Sequence, residues 1–419
     1  MQKQYLLQRA RLVGRRIDGS FQTLFASLVV GVLSTLSVDV AAAQSLLVVR
    51  PAELVFSGVQ GGACGAPLSV TIVSAAGSPV SWEAESSAPW LQLSADSGTT
   101  SAEITATVDC TGLPAGVHTA TLRVEDSAGA GDDVVVTAKL IVNPATRVTL
   151  STWKDGRRGA FSVSTDDGQF AGWRELVRHG LTGTFVMNET EPPPYYFEMY
   201  EDGMELGSHL VSHYCHAVDE ATLRFEIEEN IAGVEAVTQS PDEVISLVWP
   251  CGFTTLEAQA VAAEYFLSAR GYNINELEEP TPANLMNLKS FNSHEHVPFP
   301  PADLKSIVDA AEAEGKWANL VLHAFTNDDG AIAYSKTKDV WVAPIGSVVK
   351  YILQRDRTVI SDYAENASQI TFKVSRLPIP LPSRRNLQSV FKPSDEVTFR
   401  VDVTTLPFVT GVTVDGASV

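Results

Sequence analysis

A strand-like run, Phe161–Thr165, ends in two adjacent carboxylates, Asp166 and Asp167, followed by a glycine. Two like charges at one strand end cannot both ionise cheaply unless a cation or a proton takes up one of them. Further on, "HLVSH" sets His209 and His213 four residues apart. On one helical turn that spacing turns both imidazoles the same way, so that they can grip a single ion. Two histidines, one aspartate and an open position for water make a set that Zn²⁺ accepts. The other aspartate is then available as base toward the water. His213 and His216 offer a second pairing, so spacing by itself leaves the ligand set open. Packing or surface chance also produces i,i+4 histidines. His323 ends the apolar run "LVLH" and, taken alone, reads as a core histidine.

These residues need a scaffold that brings strand ends together. From Gly159 onward, short apolar runs ("GAFSVST", "TGTFVMN", "MELGSH", "EVISLVW", "ANLVLH") alternate with stretches of helical character such as "EATLRFEIEENIAGVEAVTQ", "TTLEAQAVAAEYFLSARG" and "PADLKSIVDAAEAEG". Strand–helix alternation predicts an α/β domain with parallel strands, whose carboxyl ends gather ligands. "DVWVAPIGSVVKYILQRDR" adds a last helix. Residues 45–143 instead show short alternating runs separated by Gly, Pro and Ser turns, the pattern of a small β-sandwich. Trp82 and Trp90 there read as core, with stacking on sugar rings as the other reading. "NPAT", Asn143–Thr146, reads as a short linker, and residues from about 366 return to β character.

"STDDG" resembles the TFDDG motif of the polysaccharide deacetylase (NodB-homology) family, "HLVSH" resembles its histidine metal motif, and "LVLH" resembles its late strand motif ending in a histidine acid. The order agrees over roughly residues 150–358. The segment preceding the linker resembles BACON-type immunoglobulin-like modules. The resemblance implies a deformed (β/α) barrel over residues 147–362, preceded by an immunoglobulin-like sandwich over 44–145 and followed by a short β-rich segment over 366–419. It implies one divalent metal ion, Zn²⁺, held by Asp167, His209 and His213. Asp166 would be the base and His323 the acid. The family's third motif is departed from. "VWPCGF" carries Val248 in place of an arginine that orients the base, and Cys251 in place of an aromatic. The backbone N–H of Cys251 remains available as an oxyanion donor. Arg270 is a candidate replacement for the lost arginine, with a surface position as the alternative. His294 and His296 read as loop residues rather than ligands.

The chain has 419 residues. Lys3, Arg9, Arg11, Arg15 and Arg16 precede an apolar run over Phe21–Val38, and "VAAAQS" follows. This reads as a signal peptide, residues 1–43, cut after Ala43 and leaving no permanent membrane span. The remainder carries 25 basic and 48 acidic residues, a net charge of −23. Such a surface disfavours nucleic acid and anionic lipid as partners. In the secreted or envelope compartment this implies, the four cysteines are expected to pair as Cys64–Cys110 and Cys215–Cys251. The expected activity is metal-dependent removal of acetyl groups from an N-acetylated polysaccharide or oligosaccharide. The alternatives are an O-acetyl esterase acting on acetylated xylan and a catalytically impaired sugar-binding envelope protein. A Cys251 nucleophile is disfavoured, because a secreted cysteine near another tends to be oxidised.

Overall fold

The computed structural model describes residues 45–419 except 169, 171, 189, 191–192, 241, 272–274, 293–303, 324–328, 367–368, 393–394, 404–412, 415–416 and 419. The expected signal peptide, His294 and His296 lie outside the described residues.

The first region is a sandwich of two sheets. Strands β1 (Leu47–Arg50), β3 (Leu68–Ser74), β5 (Leu91–Leu93) and β7 (Ala102–Val108) form one sheet in the order β1-β3-β7-β5. The other contains β2 (Glu53–Val59), β4 (Ser81–Ser86), β6 (Ser97–Thr99), β8 (Gly116–Asp126) and β9 (Val134–Asn143), ordered β2-β9-β8-β4-β6. Alternation sets which residues point inward. In β4, Trp82 and Ala84 are buried while Ser81, Glu83 and Glu85 face solvent. Val70, Ile72 and Ile104 from one sheet meet Trp82, Leu122 and Leu140 from the other in one apolar core. Trp82 is therefore a core residue, and Trp90 is partly buried against the same cluster. Cys64 and Cys110 are joined, with Cα atoms 5.7 Å apart.

The second region is a parallel barrel. Its strands are β11 (Gly159–Thr165), β12 (Thr184–Met187), β13 (Glu205–Ser208), β14 (Ser246–Val248), β15 (Ser268–Arg270), β16 (Phe291–Asn292) and β17 (Trp317–Leu322), preceded by an outlying β10 (Val148–Leu150). The order is β15-β14-β13-β12-β11-β17-β16, and every pairing is parallel. The ring closes irregularly. Leu285 and Leu288 exchange backbone hydrogen bonds with Ala269 of β15, and a few residues on β16 pairs with β17. A short β18 (Val340–Val342) pairs with the first half of β11, whose second half pairs with β12. Unequal pairings of this kind deform the barrel. β11, β12, β14, β15 and β17 are buried along their whole length, which accounts for apolar runs without alternation.

Helices α1 (Trp173–Arg178), α2 (Tyr195–Glu201), α3 (Glu220–Thr238), α4 (Leu256–Ala262), α5 (Leu304–Glu314), α6 (Asp329–Ser335) and α7 (Ile345–Arg355) accompany the strands. Gly159 permits the close approach of α5, since a Cβ there would lie 2.4 Å from the carbonyl oxygen of Ala311. The helical expectation for "TTLEAQAVAAEYFLSARG" is too long. The helix stops at Ala262, and Ser268–Arg270 is a strand buried on all sides. Alanine and leucine suit both a helix and a fully buried strand, so this apolar run did not reveal its own break. The start of "DVWVAPIGSVVKYILQRDR" is likewise strand β18.

The carboxyl-terminal stretch is only partly β. Strand β19 (Thr358–Glu365) makes a hairpin with β20 (Ile370–Arg376), and β21 (Phe399–Val401) pairs with β10. Between β20 and β21, Leu381, Leu387, Val390 and Phe391 pack with Trp153, Trp317, Val348 and Ile352. That cluster includes Ala160, Ile245 and Leu267, at or just before strand starts, so this stretch covers the amino-terminal mouth of the barrel. The "NPAT" stretch is pinned at its first residue: the Asn143 side chain accepts from Ile360 N at 2.8 Å.

Candidate metal and acid–base site

The opposite mouth holds the chemistry. Asp166 and Asp167 follow β11, His209 follows β13, Cys251 lies just beyond β14, Arg270 ends β15 and His323 follows β17. Asp167 has φ 58° and Gly168 φ 65°. The left-handed pair turns the chain sharply, so that adjacent aspartates face different surroundings.

Asp167 faces the histidines. Its Oδ1 lies 3.4 Å from His209 Nε2 and 3.1 Å from His213 Nε2, while its Oδ2 lies 3.8 Å from His323 Nε2. The ligand atoms of Asp167, His209 and His213 all fall within 4.8 Å of one another. A hydrogen bond from His209, with the charges of His209, His213 and His323, holds the Asp167 carboxyl below the usual carboxylate range against partial burial. Burial lowers the His213 pKa, and the neighbouring His209 adds to the effect. His209 Nδ1 lies 2.9 Å from the Val248 carbonyl oxygen, which can only accept. Nδ1 is therefore a donor, and Nε2 points at Asp167 and His213, donating to the carboxylate in the protonated ring and presenting a lone pair to an ion in the neutral one. One carboxylate and two imidazole lone pairs on a common centre fit a divalent cation.

His209 and His213 do not lie on a helical turn, contrary to the expectation from their spacing. Residues 209–219 form an irregular loop, with Leu210 at φ 58° and His213 at φ 50°. Helix α3 supplies what holds this loop. Glu226, buried, accepts from Val211 N at 2.9 Å, Ser212 N at 2.6 Å and Ser212 Oγ at 2.7 Å. Asn230 Oδ1, one turn later, accepts from Ser208 Oγ at 2.6 Å and His209 N at 3.2 Å. Neither was singled out from sequence. A signal existed, because both polar residues fall on the stripe made by Leu223, Ile227, Ile231 and Val234. A polar residue on a core-facing stripe needs a buried partner.

Asp166 lies beside that centre, close enough for its charge to act on His213, and is 3% exposed. It forms an ion pair with Arg270, which is fully buried and also donates to the Gly271 carbonyl at 2.8 Å. Arg270 is the direct register partner of Val248. The guanidinium absent from β14 thus enters from the adjacent strand. The surface alternative for Arg270 does not apply. Cys215 and Cys251 are joined, with Cα atoms 5.4 Å apart, tying the histidine loop to the turn after β14. Cys251 sits at φ 54° in that turn, where Gly252 N bonds the Trp249 carbonyl at 2.9 Å.

Fold and site together define a parallel barrel with a carboxylate–histidine centre at the carboxyl ends of its strands. Residues 46–137 match the family model described as the viral BACON domain. A gellan lyase from a Bacillus species is 26% identical over 277 residues, covering 54% of this chain and 11% of that protein. The chain therefore spans about a ninth of the length of the curated relative it matches. Among solved structures, a family 4 carbohydrate esterase from Streptomyces lividans, in complex with acetate, is similar with 18% identity and a TM-score of 0.34, over 44% of this chain and 92% of that one. The catalytic domain of a peptidoglycan N-acetylglucosamine deacetylase from Eubacterium rectale is similar with 14% identity and a TM-score of 0.33, over 47% and 92%. Among the described residues, no helix is long and apolar enough to cross a membrane.

Proposed function

We propose that this chain is an extracytoplasmic, metal-dependent hydrolase that removes acetyl groups from N-acetylated glycans. Residues 147–362 would form the catalytic domain and 44–145 an immunoglobulin-like module. The observation that carries this reading is the convergence of Asp167, His209 and His213 on one centre, with the Asp166–Arg270 pair and His323 beside it. Asp167, His209 and His213 would hold a divalent cation, Zn²⁺ in this reading, which would supply Lewis-acid polarisation of the acetyl carbonyl and of the attacking water. Asp166 takes the proton from the attacking water. Arg270 gives the buried Asp166 carboxylate its charge partner and fixes its direction. The Cys251 backbone N–H faces the oxygen on which charge develops. His323 gives a proton to the departing nitrogen, without which an amide does not leave as an amine. The new C–O bond forms first and places the charge on the former carbonyl oxygen; the C–N bond then breaks as the nitrogen takes the proton and the carbonyl is restored, yielding acetate and a free amino sugar.

The test is acetate release from chitooligosaccharides, peptidoglycan and acetylated xylan, with and without chelator. Release from N-acetylated substrates should vanish with chelator and return with Zn²⁺. Asp166→Asn and His323→Ala should each lower turnover by about 10²-fold or more while metal stays bound. Release from xylan alone would redirect the assignment to an ester. Unchanged rates in both variants would remove the acid–base roles.

A further inference from the structure

A groove of about 670 Å³ runs between the sandwich and the barrel. Its volume falls within the range of ligand clefts. On one side lie Val48 and the turn after β3, from Val73 to Gly77, with Ala75 and Ala76 exposed. The other side is built from the two loops that carry the candidate site. Leu210 and Tyr214 belong to the loop of His209 and His213, and Trp249, Pro250 and Phe253 to the turn that holds Cys251. Phe253 is 40% exposed, and Tyr214 and His216 stack edge to face with centroids 5.3 Å apart. Partly exposed rings beside apolar walls are surfaces on which sugar faces stack.

We propose that this groove binds further sugar residues of the same glycan chain, so that the sandwich forms one wall of an extended substrate cleft. The inference rests on the deacetylase reading for the identity of the chain. Continuity decides the occupant: the groove's barrel-side wall is the same pair of loops that carries His213 and Cys251. Charge narrows it further. Asp219, Glu220, Glu257 and Glu264 line the groove. Arg224, its lining cation among the described residues, is already bonded to Glu220 and Glu264, each at 2.8 Å. A uronic-acid polymer would meet carboxylates with no free cation, whereas a neutral acetylated chain would not.

The proposal separates from turnover if binding is measured calorimetrically on chelator-treated protein. N-acetylglucosamine hexamer should bind about tenfold more tightly than the dimer, the return expected from one or two added ring contacts. Ala75→Arg, in an exposed turn, should bring the hexamer down to the dimer's affinity with an unchanged melting temperature. Galacturonate hexamer should not compete. Equal affinity for dimer and hexamer, or a hexamer advantage surviving in Ala75→Arg, would overturn the proposal. So would competition by galacturonate. A hexamer advantage with no acetate release from any glycan would sink the deacetylase reading and leave the groove standing. Acetate release without a length preference would do the reverse.

Discussion

The sandwich and the barrel bury different things. In the sandwich the interior is Val, Leu, Ile, Ala, Phe56, Trp82 and the bridged Cys110, and its buried polar residues, such as Thr71 and Asp126, are few. The barrel buries Ser162, Ser164, Thr165, Asp166, Ser208, His209, Glu226, Asn230 and Arg270. Most of these lie along or just beyond strands that meet at one mouth. Burying polar groups costs free energy unless each finds a partner. The sandwich avoids that cost, as a region whose core serves stability does. The barrel accepts it, and the partners it supplies, Arg270 for Asp166 and Glu226 with Asn230 for the histidine loop, define the site.

The sharpest way to break this contrast is to remove one buried partner from each region. Arg270→Val leaves Asp166 buried without its cation, which should cost about 3–5 kcal/mol of stability and lower acetate release by about 10²-fold or more. Trp82→Ala in the sandwich should cost a similar amount, about 3–5 kcal/mol, by opening a cavity. It should leave turnover per folded molecule intact. Val248 and Arg270 are register partners, so the double variant Val248→Arg with Arg270→Val should recover part of both losses. Thermal melts and initial rates read the two effects apart. A double variant no better than Arg270→Val would mean that the cation serves Asp166 from β15 alone.

A smaller effect is expected at α3. Glu226→Gln keeps the shape but takes the charge out of three hydrogen bonds: the amide oxygen can still accept from both backbone N–H groups, while the NH₂ must donate to a reversed Ser212 hydroxyl. The loop carrying His213 should loosen, and Zn²⁺ affinity should fall about 10–100-fold, the usual range for residues that orient metal ligands. Competition with a chromogenic chelator measures this without turnover. Unchanged affinity would show that the Cys215–Cys251 bridge holds the loop on its own.

Sequence made the contrast partly visible. The sandwich was legible because its strands alternate, and Trp82 was read as core because tryptophans in such modules usually are. The barrel's strands were legible as apolar runs, but the break between α4 and β15 was not, since Ala and Leu serve both states. Residue type and spacing left the ligand set open between His209–His213 and His213–His216, and the family resemblance singled out Asp167, His209 and His213. The geometry bringing the histidines together was not legible, because it depends on left-handed residues at 210 and 213 that no i,i+4 rule encodes. Arg270 drew notice only because Val248 stands where a cation was needed. Glu226 and Asn230 went unnoticed, because a periodic reading of α3 counts apolar positions and passes over polar ones on the same stripe.

The smallest expected effect lies where the two regions meet. Arg50 of β1 pairs with Glu264 at 3.2 Å, and Glu264 also receives Arg224 at 2.8 Å and Arg384 at 2.9 Å. Partial burial alone would raise the Glu264 pKa, but the hydrogen bonds and charges of these arginines outweigh it and hold the carboxyl below its usual value. A depressed carboxylate contributes stability that is fully present above its unfolded pKa of about 4.3 and is lost as pH falls through the lower folded value. Near neutrality, Glu264→Gln should therefore be less stable than the parent by roughly 1 kcal/mol or less, the scale of a partly exposed ion pair. The gap should stay level down to about pH 5, then narrow and close in stronger acid. Arg50→Met should reproduce part of the neutral-pH loss, because it removes the one partner contributed by the sandwich. Melts from pH 7 to pH 3 would follow the gap. A gap that persists at pH 3 would show that shape, not charge, joins the sandwich to the barrel, and the acidic character assigned to the groove beside it would lose its anchor.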